Sequence, residues 1–161
     1  MTLTQSLLII ALLIAASAFV AVAEISLAAS RRLRLRQMAD EGDPRADKAI
    51  QLQEQPGDYF TVVQVGQNAI AILGGIVGES ALSTTLAGIL AWWMPENTAQ
   101  HLGSVLSFFV ITSLFILFAD LLPRRLSMVE PEYLLLRVLR PMQLCITFFK
   151  PVVWFYGRLT D

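Results

Sequence analysis

The run Leu7 to Ala23 contains no charged side chain, and the apolar, helix-prone sequence around it extends from about residue 3 to residue 30. A bilayer core ~30 Å thick needs about 20 helical residues to cross it, so this run sets the first element as a membrane span. Met1 to Ser30 holds no Lys or Arg. A secretory leader has a basic start and a shorter apolar core, so the run reads as a permanent span. Just before it ends stands Glu24, and Arg31-Arg-Leu-Arg-Leu-Arg36 follows. An ionised carboxylate at that depth is expensive unless it has a partner or a purpose. Arginines directly after a span mark its cytoplasmic stop more simply than they mark a nucleic-acid patch.

The remainder of the chain keeps to the same solvent. Hydrophobic residues make up 55% of the 161, charged residues only 16%, and mean hydropathy is +0.60; soluble domains carry about 25% charged residues. One all-α integral membrane domain over residues 1–161 is therefore expected. Gln37 to Gln55 is polar, with Gly42 and Pro44 as its break, and reads as a short cytoplasmic helix–turn–helix. Asp58 is a candidate N-cap for the second hydrophobic region, Tyr59 to Met94. As one helix that region would run ~54 Å, too long for a single span. The cluster Gly74-Gly75-Ile-Val-Gly78-Glu79-Ser80 is the natural break. It predicts a span over 59–77 and a shorter helix over 80–93 at the outer face, with Trp92 and Trp93 in an interfacial belt. A polar loop over 95–103 precedes a third span, 104–122, stopped by Pro123-Arg124-Arg125. Residues 126–159 mix apolar and basic side chains with Pro131, Pro141 and Pro151, which predicts juxtamembrane interfacial helices broken at the prolines.

All basic residues lie in two blocks, Arg31 to Lys48 and Arg124 to Arg158. The positive-inside rule then places the amino end outside and the carboxyl end in the cytoplasm. The single cysteine, Cys145, and the single histidine, His101, leave no disulfide framework and no Cys or His zinc site. Net charge is −1, which gives no case for nucleic acid. Nothing points to a nucleophile, an enzymatic site or a cofactor.

On the first helix, Ser17, Ala21, Glu24 and Ala28 share a narrow face. Gln64, Gly66, Gln67 and Asn68 put amides at membrane depth on the second span, and Asp120 lies near the cytoplasmic end of the third. Acids from two helices at one depth make an entry for cations, whose charge offsets their desolvation. Glu79 lies toward the outer side and suits an exit. Each residue also has a plain structural reading. Ser17 can bond its own backbone, Glu24 can pair with Arg31, and Asp120 with Arg124. Asn68 can hold helices together, and Gly74, Gly75 and Gly78 can serve packing alone. The joint pattern is harder to explain by packing than any single member.

Ala23-Glu-Ile-Ser-Leu-Ala-Ala-Ser-Arg-Arg32, Gln37-Met-Ala-Asp-Glu-Gly42, Phe60-Thr-Val-Val-Gln-Val-Gly66 and Phe118-Ala-Asp-Leu-Leu-Pro-Arg124, in this order and spacing, resemble the transmembrane domain of the CNNM/CorC family. The resemblance implies a homodimer in a bacterial inner membrane, with three spans and a juxtamembrane helix per protomer. It also implies cytoplasmic CBS and CorC-type domains after the membrane part. These are absent here, so the chain looks like a truncated or stand-alone membrane domain. The family is best known for magnesium efflux, exchanged for sodium, through a bare-ion cage of serine hydroxyls, an amide and main-chain carbonyls. Ser17 matches the first serine and Gly66 the motif glycine, so these two would be the metal residues. Ala21, Gln67 and Ala71 stand where the second serine and two asparagines fall, and Asp120 holds the acid of a Glu-x-x-Pro motif. Magnesium demands near-ideal octahedral oxygen geometry, which two alanines do not supply.

Ala71 to Gly78 and Phe118 to Leu121 are similar to a subgroup of bacterial polyamine exporters. A diamine such as putrescine or cadaverine needs separated acids and an apolar middle. Glu24, Asp120 and Glu79 fit that, with Tyr59 or Phe118 as cation–π partners. The expected function is export of a small cation, a polyamine before magnesium, by alternating access. The expected partners are lipid, a second copy of the chain and the cationic substrate, with no nucleic acid. A different class of function, a membrane anchor for regulatory domains without transport, predicts that both acids are tied up by arginines.

Overall fold

Backbone inside a bilayer must satisfy its own N–H and C=O groups, and a helix does so within one segment. The structure, a computed structural model, describes residues 2–160; the outermost residues 1 and 161 of the expected domain lie outside these. The described residues form six helices: α1 (Leu3–Ala29), α2 (Arg32–Asp40), α3 (Pro44–Glu54), α4 (Gly57–Leu90), α5 (Glu96–Val129) and α6 (Pro131–Thr160). Three of them, α1, α4 and α5, are long and apolar enough to cross a membrane. The protein is an all-α integral membrane protein, and the first span and the α2–α3 turn lie where the sequence places them. Gly42 makes that turn at φ 97°, a conformation that favours glycine.

The chain divides into two compact units. The first comprises Met1–Ala18 and Asn68–Leu122. Here α4 and α5 pack through small residues. Ala99, Gly103, Ser107 and Ile111 form a buried row on α5 at four-residue spacing. A Cβ at Gly103 would come within 2.9 Å of the Ala87 main-chain nitrogen, and one at Gly78 within 2.6 Å of Ile111. A Cβ at Gly74 would run into the Phe115 ring. The Ser107 hydroxyl donates to the carbonyls of Gly78 (3.3 Å) and Glu79 (3.4 Å). Large apolar side chains point outward instead, among them Leu12, Ile72, Ile76, Phe108 and Phe109.

This packing corrects the expected break at Gly74–Ser80. The 34 residues of α4 are one unbroken helix, because Gly74 and Gly78 are taken up by contact with α5 rather than by a turn. Its length of ~51 Å exceeds the hydrocarbon thickness, so its ends belong to other surroundings. Asp58 falls in its first turn rather than at a cap. The expected outer helix over 80–93 is the end of α4, followed by a turn at 91–94 that exposes Trp92 and Trp93. The expected loop over 95–103 is also helical, since α5 begins at Glu96 with Pro95 before it. The stop expected at Pro123 is absent too. Phe115–Leu121 winds as a π-helix and α5 continues to Val129. A proline clashes with the carbonyl four residues back, and the wider π turn just ahead of Pro123 makes room for it.

The second unit comprises Phe19–Gln67 and Pro123–Asp161. Its core is built of larger side chains: Leu27, Leu35, Tyr59, Val63, Leu135, Leu136, Val138 and Met142. Arg31 at the N-cap and Arg32 and Arg34 in the first turn of α2 oppose the helix dipole. Carboxylates from elsewhere offset this, Glu132 accepting from the Arg31 N–H at 2.9 Å and Glu54 pairing with Arg32. Asp43 caps α3, accepting from the Arg45 N–H at 3.0 Å ahead of Pro44. The hydrogen-bonded Arg45 guanidinium holds the Asp43 carboxyl below the usual carboxylate range. The expected breaks at Pro141 and Pro151 are not made, and α6 runs from Pro131 to Thr160. Both prolines are exposed, as are Arg137 and Thr147 four residues earlier, so the carbonyls they release face outward.

Candidate functional site

The carboxyl-terminal end of α1 is held by side chains that meet its carbonyls. Ala23 and Ser26 are fully buried. The Tyr59 hydroxyl donates to the Ala23 carbonyl at 2.6 Å, and the Ser26 hydroxyl to the same oxygen at 3.2 Å. The Gln53 amide donates to the carbonyls of Ser30 (2.9 Å) and Leu27 (3.4 Å), and the Ser30 hydroxyl to that of Ser26 (2.5 Å). A helix end leaves its last carbonyls without intrahelical partners; here Gln53 occupies that of Leu27, while the Ser26 carbonyl accepts both the Ser30 N–H and its hydroxyl. Glu24 is thereby fixed on a rigid segment. It is half-buried and makes no hydrogen bond or ion pair among the described residues. The pairing with Arg31 is not formed. Tyr59 is fully buried and its hydroxyl is engaged, so its ring is not the cation–π partner that the sequence suggests.

The other candidates are divided between the units. In the second, Gly66 and Gln67 are half-buried, and a Cβ at Gly66 would meet nothing within 4 Å. Close packing therefore does not require that glycine. In the first, Ser17 is buried, while Asn68, Glu79 and Asp120 are exposed. Asn68 makes no side-chain hydrogen bond among the described residues, so it is not the interhelical link that its amide allows. Ser17, Gln67, Asp120 and Arg124 each have an interaction partner. Asp120 lies in the π-helical stretch, and Phe118 beside it is exposed. Among the described residues no three His, Cys, Asp or Glu come together as a metal group.

Two cavities lie along the α4–α5 pair. One, of about 490 Å³, is lined by Ile72, Ile76, Glu79, Ser104, Val105 and Phe108 among others. The second, of about 650 Å³, takes Ser83, Thr84, Glu96, Gln100 and Ser104 into its wall. The sequence reading missed the last five. Glu96, Gln100 and Ser104 recur every fourth residue, the signal of one helix face, across the expected loop over 95–103 and the first residue of the expected third span.

Residues 8–161 match the sequence profile of the Cyclin M transmembrane N-terminal domain. The chain belongs to this family. Within the Cyclin M family, three curated relatives illustrate the range of similarity. The polyamine export proteins of Salmonella typhimurium (strain 14028s / SGSC 2262) and Escherichia coli (strain K12) are each 46% identical over 157 residues, 98% of this chain and 35% of theirs. That of Haemophilus influenzae (strain ATCC 51907 / DSM 11121 / KW20 / Rd) is 44% identical over 161 residues, 100% of this chain and 37% of its own. This Cyclin M domain spans about a third of the length of these relatives.

Proposed function

We propose that the chain is the membrane part of an exporter of small cations in a bacterial inner membrane, with a polyamine as substrate. It works as a homodimer by alternating access, without enzymatic chemistry. The observation that carries this reading is Glu24, a half-buried carboxylate without an ion-pair partner among the described residues, on a segment whose carbonyls are otherwise engaged. A partly desolvated carboxylate favours a cation that replaces its lost hydration. The same observation weighs against an anchor without transport, in which arginines would neutralise the acid. The names of the relatives point the same way.

Magnesium is the weaker substrate. Ala21 is buried on the Ser17 side of Glu24, where a second hydroxyl would be needed for an oxygen cage. The amino end faces outward and the basic blocks face the cytoplasm. The exposed Leu144, Phe148, Phe155 and Leu159 of α6, interleaved with Arg140, Lys150 and Arg158, suit the lipid headgroup boundary.

The test is efflux from loaded vesicles, comparing putrescine with magnesium, for the parent chain and for Glu24→Gln and Asp120→Asn. Putrescine efflux that falls about tenfold or more in Glu24→Gln supports the reading, the loss expected for a charge-assisted contact. Magnesium efflux without putrescine efflux transfers the site to a divalent ion. Absence of both fluxes in the parent chain removes the transport reading.

A further inference from the structure

The first two turns of α5, polar in sequence and helical in structure, place Glu96, Gln100 and Ser104 in one wall. Ser83 and Thr84 of α4 complete the polar lining of the cavity of about 650 Å³. None of these five side chains makes a hydrogen bond among the described residues. Hydroxyls on these helices divide, and Ser80, Thr98, Thr112 and Ser113 also make no hydrogen bond among the described residues. Thr85, next to Thr84, bonds back to the Ala81 carbonyl, and Thr61 and Ser127 likewise bond to carbonyls one turn earlier. The groove hydroxyls are open to a ligand, and no cationic side chain lines either cavity.

Ser104 lines both cavities. On its other side the wall turns apolar, with Ile72, Ile76, Val105 and Phe108, and holds one acid, Glu79. From Phe108 to Glu96 the groove follows α5 for ~18 Å at 1.5 Å per residue. Carboxylates therefore occur in both cavities, with the hydroxyls of Ser83 and Ser104 between them and the apolar wall of Ile72 and Ile76 beyond Glu79. A primary ammonium presents three donors and no acceptor, which this set of oxygens matches. A compact divalent ion has no use for the apolar wall.

We infer that this groove is a second binding site, for the ammonium groups of an alkyl diamine, and that it forms the release end of the export route. The inference rests on the cation-export reading. Glu96 and Gln100 hold one ammonium, the methylene chain passes Ser83, Ser104 and Val105, and Glu79 meets the second.

The single cysteine makes the test direct. In a Cys145→Ser background, the thiol introduced by Ser104→Cys is modified with a cationic methanethiosulfonate on the protein reconstituted in vesicles, with and without putrescine. Gln100→Cys serves as a second reporter should the first variant not fold. The expected result is that putrescine slows modification severalfold, that magnesium at equal ionic strength does not, and that Glu96→Gln weakens the protection by about tenfold. Modification unaffected by putrescine, while the parent chain still exports it, overturns the groove and leaves the export reading intact. Modification blocked with or without amine, together with cross-linking between two copies, assigns the groove to a subunit interface and also overturns the inference. A parent chain that moves no putrescine fails the export reading, and with it the inference.

Discussion

The two units of this chain are held together by different physics. In the first, helices approach through Gly74, Gly78, Gly103 and Ser107, and the large apolar side chains point outward. Lipid tails are as apolar as leucine, so burying a leucine there gains little, and close van der Waals contact and short polar links do the work. In the second, large side chains, Leu35, Leu135, Leu139, Met142 and Tyr59, are buried together, and the exterior mixes charged side chains with apolar ones such as Leu144 and Phe148. The consequence is a difference in what each unit tolerates: the first resists added volume, the second resists lost volume.

Truncation in the second unit is expected to have the largest effect. Leu135→Ala removes a fully buried side chain, and the typical cost is about 2–5 kcal/mol. Thermal unfolding of the detergent-solubilised protein reports it, and a shift within error would mean this core is not the load the comparison assigns it. Gly103→Ala comes next, at about 1–3 kcal/mol, because its Cβ would press on the main chain of Ala87 rather than on a yielding side chain. Hydrogen exchange should show loosening of α4 and α5 while α2 and α3 stay protected; uniform loosening would erase the distinction between the units. Asp43→Ala removes the α3 cap at about 1 kcal/mol. Because the folded Asp43 carboxyl is depressed, its contribution is present above the ordinary value of about 3.9 and is lost as pH falls through the lower folded value. The pH dependence of unfolding should flatten slightly in that acid range in the variant. Gly75→Ala is the smallest, within about 0.5 kcal/mol, since its Cβ would meet nothing within 4 Å. A large loss there would show that the side of α4 left open in this chain is covered by another copy.

The same contrast explains what was legible in the sequence. Uncharged runs flanked by arginines identify the spans, because the cost of charge in lipid leaves few alternatives. Gly42 and Pro44 identify the α2–α3 turn, because both act locally. Gly74 and Gly78 look the same whether they end a helix or admit Phe115 and Ile111, and only the partner helix decides. Pro141 and Pro151 depend on whether the carbonyls they release face outward, which sequence does not display. Of the site, the α1 face of Ser17 and Glu24 could be read from helical spacing. The capture of Tyr59 by the Ala23 carbonyl could not, since it joins residues 36 positions apart. The Glu96, Gln100 and Ser104 row was available in principle, but the polar composition of 95–103 suits a loop as well as a helix face.

The π-helical turn of α5 also governs phase. Along α5, residues 99, 103, 107, 111, 119, 123 and 127 are all buried, a four-residue beat broken only at the half-buried Phe115. An α-helix cannot hold that beat on one side: at 3.6 residues per turn each step of four overshoots by ~40°. The wider turn at Phe115–Leu121 holds more residues, so four of them fall short of a turn and part of the accumulated drift is reversed. Deleting a single residue within that stretch would turn everything beyond it, Arg124 and Arg125 included, by ~100° about the helix axis.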